Sequence, residues 1–297
     1  MTNQLIDVCP DSRYPPLLKQ LRDPPQSLYY KGNIDLIHTS CLAIVGTRKP
    51  SVYGKAMAAY FTKGLLSYGL TLVSGLAFGI DAIVHEVTLE EGGKTIAVLG
   101  NGLDRIYPER HAALAQKMLQ NGNLILSEYA PGTPSHKHNF PQRNRIISGL
   151  SLATLVIEAP IKSGALITAK HAFEQNRDVF AVPSDLGRDS AEGCNLLIGS
   201  DMARLVRTPE EVVHRLRSVP RELFPTTHLP SVPRAPTLVT HAQKKLWKAL
   251  SHRPVHPYEL LKVTQLSVEE VSMALSYLEV KGFVQRVEGG KYMKMGS

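Results

Sequence analysis

The chain reads as an α/β protein: an extended Rossmann-like, doubly wound and mostly parallel sheet, followed by a small C-terminal winged-helix domain. Three observations predict this. Short continuous apolar runs recur between residues 42 and 182, stretches with helical spacing separate them, and a proline-rich segment then gives way to three helices and a hairpin. With 297 residues, 43% of them hydrophobic, the chain can bury a large core and a second, smaller one.

The strand expectations are residues 42–45, 72–73, 96–99, 124–126, 155–157 and 179–182. Each is short and apolar throughout, as a strand covered on both faces must be. Between them, residues 55–68, 82–91, 111–120 and 168–176 space their apolar side chains as helices do. Strand and helix in alternation imply parallel strands, whose ligands bind beyond the carboxyl ends. Residues 1–37, with Tyr14-Pro15-Pro16 and Asp23-Pro24-Pro25, read as a short irregular segment packed on the sheet domain of residues 38–216. Residues 217–236 contain five prolines and no periodic apolar pattern, which predicts an extended linker. The last domain, residues 237–297, offers helices over 243–250, 257–263 and 268–281. Strands over 283–287 and 291–295 follow, joined through Gly289-Gly290.

A formal charge of +8 and a pI near 9.3 favour polyanionic partners. No apolar run approaches the ~18 residues a membrane-spanning helix requires, and no charged-then-apolar leader opens the sequence. Three cysteines, an odd number without a Cys-x-x-Cys pair, suit a reducing cytoplasm.

The cations concentrate where they can act together. Residues 136–147, His-Lys-His-Asn-Phe-Pro-Gln-Arg-Asn-Arg-Ile-Ile, read as a connection between the fourth and fifth strands. No acidic residue occurs from Tyr129 through Ile157, so Lys137, Arg143 and Arg145 lack a local counter-charge. Cations hold phosphates and a Phe face stacks on a base, so this composition suits single-stranded nucleic acid. Arg48 follows the first strand in a Gly-rich turn that enters a helix, a setting for phosphate. Asp81 follows Ser74-Gly75 and is placed either to cap its helix or to hold a neighbouring loop. After the fifth strand, Ser163, the Gly164 backbone, Thr168 and Lys170 are expected to line the same crevice.

Other chemistries fit less well. Gly100-Asn101-Gly102 begins a dinucleotide fingerprint but has Arg105 in place of its third glycine, and Gly92-Gly93-Lys94-Thr95 precedes its strand instead of following it. His136 and His138, with His171 as a third candidate, fall short of a supported metal site. No cofactor, metal or catalytic residue is therefore expected.

These motifs, taken in order, resemble the DprA/Smf family, DNA-processing protein A. The resemblance covers residues 14–216. It rests on Gly46-x-Arg48-x-x-Ser51-x-Tyr53-Gly54, Ser74-Gly75-x-Ala77-x-Gly79-Ile80-Asp81, Gly100-x-Gly102 with Tyr107-Pro108, and Ser127-Glu128. Phe140-Pro141-x-Arg143-Asn144-Arg145-Ile146-Ile147, Ser163-Gly164-x-Leu166-x-Thr168-Ala169 and Gly193-x-Asn195-x-Leu197-Ile198 complete the set. The resemblance implies a non-enzymatic binder that protects incoming single-stranded DNA and, as a homodimer, loads the RecA recombinase onto it in natural transformation. It places the strand on Arg48, Lys137 and Phe140, with Arg143, Asn144, Ser163 and Lys170 as neighbours; Ser51, Gly75, Gly164 and Thr168 complete the expected site. The sequence departs from the family in a short N-terminal segment and in Ser184, which stands where glycine is usual.

Two other readings remain. One is a nucleotide-binding or phosphoribohydrolase-like Rossmann enzyme, against which stands the missing glutamate of that group's Gly-Gly-x-Gly-Thr-x-x-Glu motif near residues 162–169. The other makes the C-terminal module the main duplex-DNA reader. Glu269, Glu270 and Glu279 on its third helix oppose that and suggest a protein-binding or auxiliary role.

Overall fold

A computed structural model describes residues 5–216, 240–280 and 283–294. The linker expected at 217–236, Lys281 and Met295 lie outside the described residues. In chain order the first strands are β1 (Asp7–Val8), β2 (Tyr29–Gly32), β3 (Cys41–Val45), β4 (Thr71–Ser74) and β5 (Thr95–Leu99). β6 (Leu124–Ser127), β7 (Ala153–Val156), β8 (Asp178–Ala181) and β9 (Arg204–Leu205) follow. They form one sheet in the order β1-β2-β6-β5-β4-β3-β7-β8-β9, parallel from β6 to β9, with β1 and β2 antiparallel at one edge. All six apolar runs of the sequence are strands at the centre of this sheet. The N-terminal segment does more than pack on it, because Tyr29–Gly32 pairs with β6 and extends it.

Helices cover both faces: α1 (Pro16–Lys19), α2 (Val52–Leu66), α3 (Ile80–Glu90), α4 (Ala112–Gln120), α5 (Asn139–Gly149), α6 (Gly164–Glu174), α7 (Glu192–Gly199) and α8 (Pro209–Leu216). The strands alternate their side chains between these layers. Leu42, Ile44, Leu72 and Leu155 pack with Phe61 and Leu65 of α2, while Val45, Val73 and Val156 pack with Ile146 and Ile147 of α5. Fully burying one such side chain stabilises the fold by about 1.5–3 kcal/mol.

The largest correction to the sequence reading is α5. Residues 136–147 are no open connection but largely its first turns. Its buried residues include Asn139, Arg143, Asn144 and Ser148, a polar inner face that hydrophobic periodicity does not reveal. Pro141 fits because it stands in the first turn, where no intrahelical partner awaits its missing N–H.

Helix α3 carries a titratable group in the core. His85 is fully buried, and its Nδ1 lies 2.8 Å from the Thr95 hydroxyl, which itself donates to the Leu72 carbonyl. Nδ1 therefore carries the proton and Nε2 stays bare and unpartnered. Burial, reinforced by His111 and Arg143, pushes the His85 pKa down to about 3. A histidine depressed in the folded state stabilises above its unfolded pKa and loses that contribution as pH falls from ~6.5 toward 3. At pH 4.5 the loss is about 2–3 kcal/mol, at 1.36 kcal/mol per unit. His85→Gln should flatten the pH dependence of urea unfolding between pH 7 and 4.5 by that amount.

The second domain packs α9 (His241–Ala249), α10 (Pro257–Thr264) and α11 (Val268–Val280) against the hairpin of β10 (Val284–Val287) and β11 (Lys291–Lys294). Leu246, Leu260, Val271, Leu275, Leu278 and Val284 form its own core. The module is a winged helix, as expected. Thr240 and Gln243 close a capping box at its entrance, each bonding the other's backbone N–H. Among the described residues no helix is long and apolar enough to cross a membrane.

Candidate functional site

β3 sits between β4 and β7, so the chain leaves it toward β4 and returns to its other side only after crossing from β6. At such a reversal the loops diverge and a crevice opens beyond the strand ends. A cavity of about 780 Å³ lies there. Thr47, Arg48 and Lys49 line it from the β3 loop, Lys162 and Ser163 from the β7 loop with Gly164 at the start of α6, and Ala77 from the β4 loop with Asp81 in the first turn of α3. Tyr107 also lines it, with Lys137 and the α5 residues Phe140, Arg143 and Asn144. The crossover that carries the chain from β6 to β7 is α5, which is why one helix supplies so much of the wall.

A buried carboxylate holds the β3 loop. Glu158 accepts the Ser51 N–H at 2.8 Å and the Ser190 hydroxyl at 2.8 Å, and its carbonyl accepts the Thr47 N–H at 2.6 Å. Ser51 caps α2 by accepting the Gly54 N–H at 3.1 Å, so its work is to start the helix; it does not line the cavity. A Cβ on Gly54 would stand 1.9 Å from Glu158 Oε2. Helix propensity alone would make Gly54→Ala stabilising by about 1 kcal/mol. Here it should cost about 1–3 kcal/mol through overpacking, measurable as a lower urea midpoint.

Asp81 holds the neighbouring loop, accepting the Gly75 N–H at 3.1 Å and the Ala77 N–H at 3.4 Å, while Gly79 occupies the cap position of α3. Of the two roles the sequence allowed, loop support is the one realised. Burial raises the Asp81 pKa, against the pull of Arg143.

Arg143 departs from its expected role as a phosphate contact. It is 4% exposed, and its Nη1 donates to the carbonyls of Gly75, at 2.9 Å, and Val98. Burial lowers its pKa to about 10, opposed by Asp81 and assisted by Arg48. Nη1 is committed to the ends of β4 and β5 and Nε donates to Asn144 Oδ1 at 3.3 Å, which makes the residue a clamp in the cavity floor. Gly75 belongs to the same clamp: a Cβ there would lie 2.7 Å from both Arg143 Nη2 and Asp81 Oδ2. It does not line the cavity. Asn144 joins two walls by donating to the Gly164 carbonyl at 3.2 Å.

The rim is different. Arg48, Lys49, Lys137 and Lys162 are exposed, and no carboxylate of a described residue forms an ion pair with them. Phe140 is half-buried between them, with the Arg48 guanidinium 5.8 Å from its ring centre and the Tyr107 ring 5.4 Å away. Ser163 caps α6 by accepting the Ala165 N–H at 3.2 Å, and Gly164, Ala165 and Thr168 turn that positive helix end toward the cavity. Sequence reasoning does not separate Lys49, Lys162 and Tyr107 from their neighbours, because each only adjoins or lies within a motif.

Lys170 does not join them. It lies beyond the first turn of α6, exposed, with Glu174 at 3.8 Å, and does not line the cavity. The expectation that the stretch lacks counter-charge also needs correction, because the partners come from distant segments. Arg145 pairs with Glu128 at 2.5 Å and Asp23 at 3.7 Å, and Arg143 faces Asp81. His136 and His138 stack on each other with ring centres 5.4 Å apart. Ser184 has no left-handed backbone and bonds reciprocally with Asn195 at 3.1 and 3.0 Å, so the turn accepts serine.

Residues 6–217 match the family model for DNA recombination-mediator protein A, and residues 230–290 match the DprA winged helix domain. Protein Smf of Escherichia coli is 45% identical over 204 residues, 69% of this chain; the match spans 54% of that protein's length. An X-ray structure of DNA processing protein A from Streptococcus pneumoniae superposes with a TM-score of 0.66 at 41% identity, covering 72% of this chain and 74% of the other. A Helicobacter pylori DNA processing protein A, studied for its single-stranded DNA binding mode, gives a TM-score of 0.66 at 31% identity, covering 73% and 97%.

Proposed function

Because this chain belongs to the DNA recombination-mediator protein A family, we propose that its cavity holds single-stranded DNA. The carrying observation is the rim of four exposed cations, paired with no carboxylate of a described residue, around a half-buried phenylalanine. Arg48, Lys49, Lys137 and Lys162 neutralise phosphates, the α6 N-terminus adds backbone donors, and Phe140 stacks a base. The H. pylori relative, whose single-stranded DNA binding mode was studied, supports the same ligand.

Binding fits better than hydrolysis because the buried carboxylates here are already committed. Asp81 serves two N–H groups and Arg143, and Glu158 serves an N–H and a hydroxyl. In the winged helix, exposed Glu269, Ser272, Met273 and Ser276 share one face of α11, with no cation for a DNA groove. Its role is accordingly protein contact rather than duplex reading. The proposal extends to homodimer formation, delivery of the coated strand to RecA in transformation, and a cytoplasmic site of action, supported by the resemblance to the family; three free, buried cysteines suit that compartment.

The test is anisotropy with single-stranded and duplex oligonucleotides over a salt series. Tighter single-strand binding, with a slope of about −0.7 per phosphate contacted, is expected. Preference for duplex, abolished by truncation after Leu216, would instead make the winged helix the reader. Release of free base from nucleoside monophosphates would revive the enzyme.

A further inference from the structure

We infer that the strand continues out of the cavity onto a second aromatic platform, Phe78 with His111, so that the site binds further nucleotides along the β4 and β5 loops. The inference rests on the single-stranded DNA reading of the cavity and extends it.

Phe78 is 42% exposed, and its ring meets that of His111 edge-on at 4.9 Å. Its chain neighbours place it beside the cavity. Ala77 lines the cavity, and Gly79 is pressed so closely on the β3 loop that a Cβ there would lie 2.8 Å from Arg48 Cα. The Tyr107 side chain, 47% exposed, lines the cavity from the loop that leads to His111. Two ring pairs result, Phe140 with Tyr107 at the cavity and His111 with Phe78 on the adjoining loops.

The turn that presents Phe78 is held rigidly. Leu76 is fully buried with a left-handed φ of 56°, a conformation costing about 1–2 kcal/mol for a residue with a Cβ. Asp81 holds the N–H groups of Gly75 and Ala77, and His111 Nδ1 donates to the Leu76 carbonyl at 2.8 Å. A side chain that merely needed burial could turn inward from a loose loop. Here a fixed turn aims an aromatic ring at solvent, beside Arg48 and Lys49, which no described carboxylate pairs. Arg105 and Arg110, exposed and unpaired with any described carboxylate, flank Tyr107 and His111. The acidic neighbours are Asp104, whose Oδ1 accepts the Gly132 N–H at 2.7 Å, and exposed Glu109. Flat rings and guanidinium groups on one rigid rim suit the bases and phosphates of the same strand, since every base has a stacking face.

The test compares wild type, Phe78→Leu and Phe78→Tyr on oligothymidines of about 4 to about 16 nucleotides. Wild-type affinity should climb with length. Phe78→Leu should match wild type on the shortest oligomer that binds and fall at least fivefold behind on the longest, and Phe78→Tyr should recover most of the gap. Equal loss at every length would assign Phe78 a structural role, and no loss at any length would leave it outside the path; either result overturns the inference. If wild type binds no oligomer at all, the single-stranded DNA reading itself fails, a distinguishable outcome.

Discussion

Replacing Arg48, Lys137 and Phe140 together by alanine should weaken oligothymidine binding by about 100-fold or more, or about 3 kcal/mol. The Phe140 ring contributes about 1–3 kcal/mol if it stacks a base. Each lost phosphate contact also leaves a mark in the salt dependence, so removing two cations should flatten the slope of log affinity against log salt by about 1.4. The slope separates charge from stacking: Phe140→Ala alone should lower affinity and leave it unchanged. Arg48 and Lys137 are exposed and pair with no described carboxylate, so their removal should scarcely move the unfolding midpoint. Phe140 packs against Gly100, where Phe140→Leu preserves most of the contact and serves as the folding control. Unaltered affinity and slope in the triple variant would remove the cavity from consideration.

Arg143→Met should act on the fold. It strips the bonds from the Gly75 and Val98 carbonyls, a loss of about 1–3 kcal/mol, and removes the positive charge that pulls the Asp81 pKa down. Burial already raises the Asp81 pKa, and without Arg143 it rises further. A carboxyl whose folded pKa exceeds its unfolded value favours folding at low pH and loses that advantage as pH rises through the folded pKa. The defect of Arg143→Met should therefore be smaller at pH 5 than at pH 7. Adding Asp81→Asn, which removes the orphaned charge, should cost less than the two single losses combined. Urea unfolding of the four proteins at both pH values measures this cycle. A variant as stable as wild type that had lost tenfold or more in DNA affinity would return Arg143 to the phosphate contacts.

The contrast between Arg48 and Arg143 shows where sequence reading stops. Both lie in quoted motifs and neither has a carboxylate nearby in sequence, so both looked like phosphate ligands. Burial separates them, and burial depends on which strand ends each residue meets. The same applies to Lys170: its place in a basic loop motif suggested the cavity, but it sits beyond the first turn of α6, beside Glu174. Ser51 and Gly75 are required by the site without touching its contents. One caps the helix behind it, and the other makes room for the clamp below it.

The strands, most of the helices and the winged helix followed from the sequence because their signal is local. Apolar runs, helical spacing, prolines and glycines act on the chain within a few residues, whatever lies elsewhere. The sequence likewise determined that cations and one phenylalanine would stand in the segments that follow β3, β6 and β7. Tertiary structure decided what those side chains do. Strand order put the crevice beside β3, and the crossover from β6 to β7 turned a polar stretch into α5, whose inner face bonds to distant carbonyls. Long-range bonding of Arg143 to the Gly75 and Val98 carbonyls and of Arg145 to Glu128 then withdrew two cations and left the rim to the rest. Desolvation and hydrogen bonding between segments far apart in the chain have no local pattern, so only the folded arrangement distinguishes an arginine that holds the floor from one that meets the ligand.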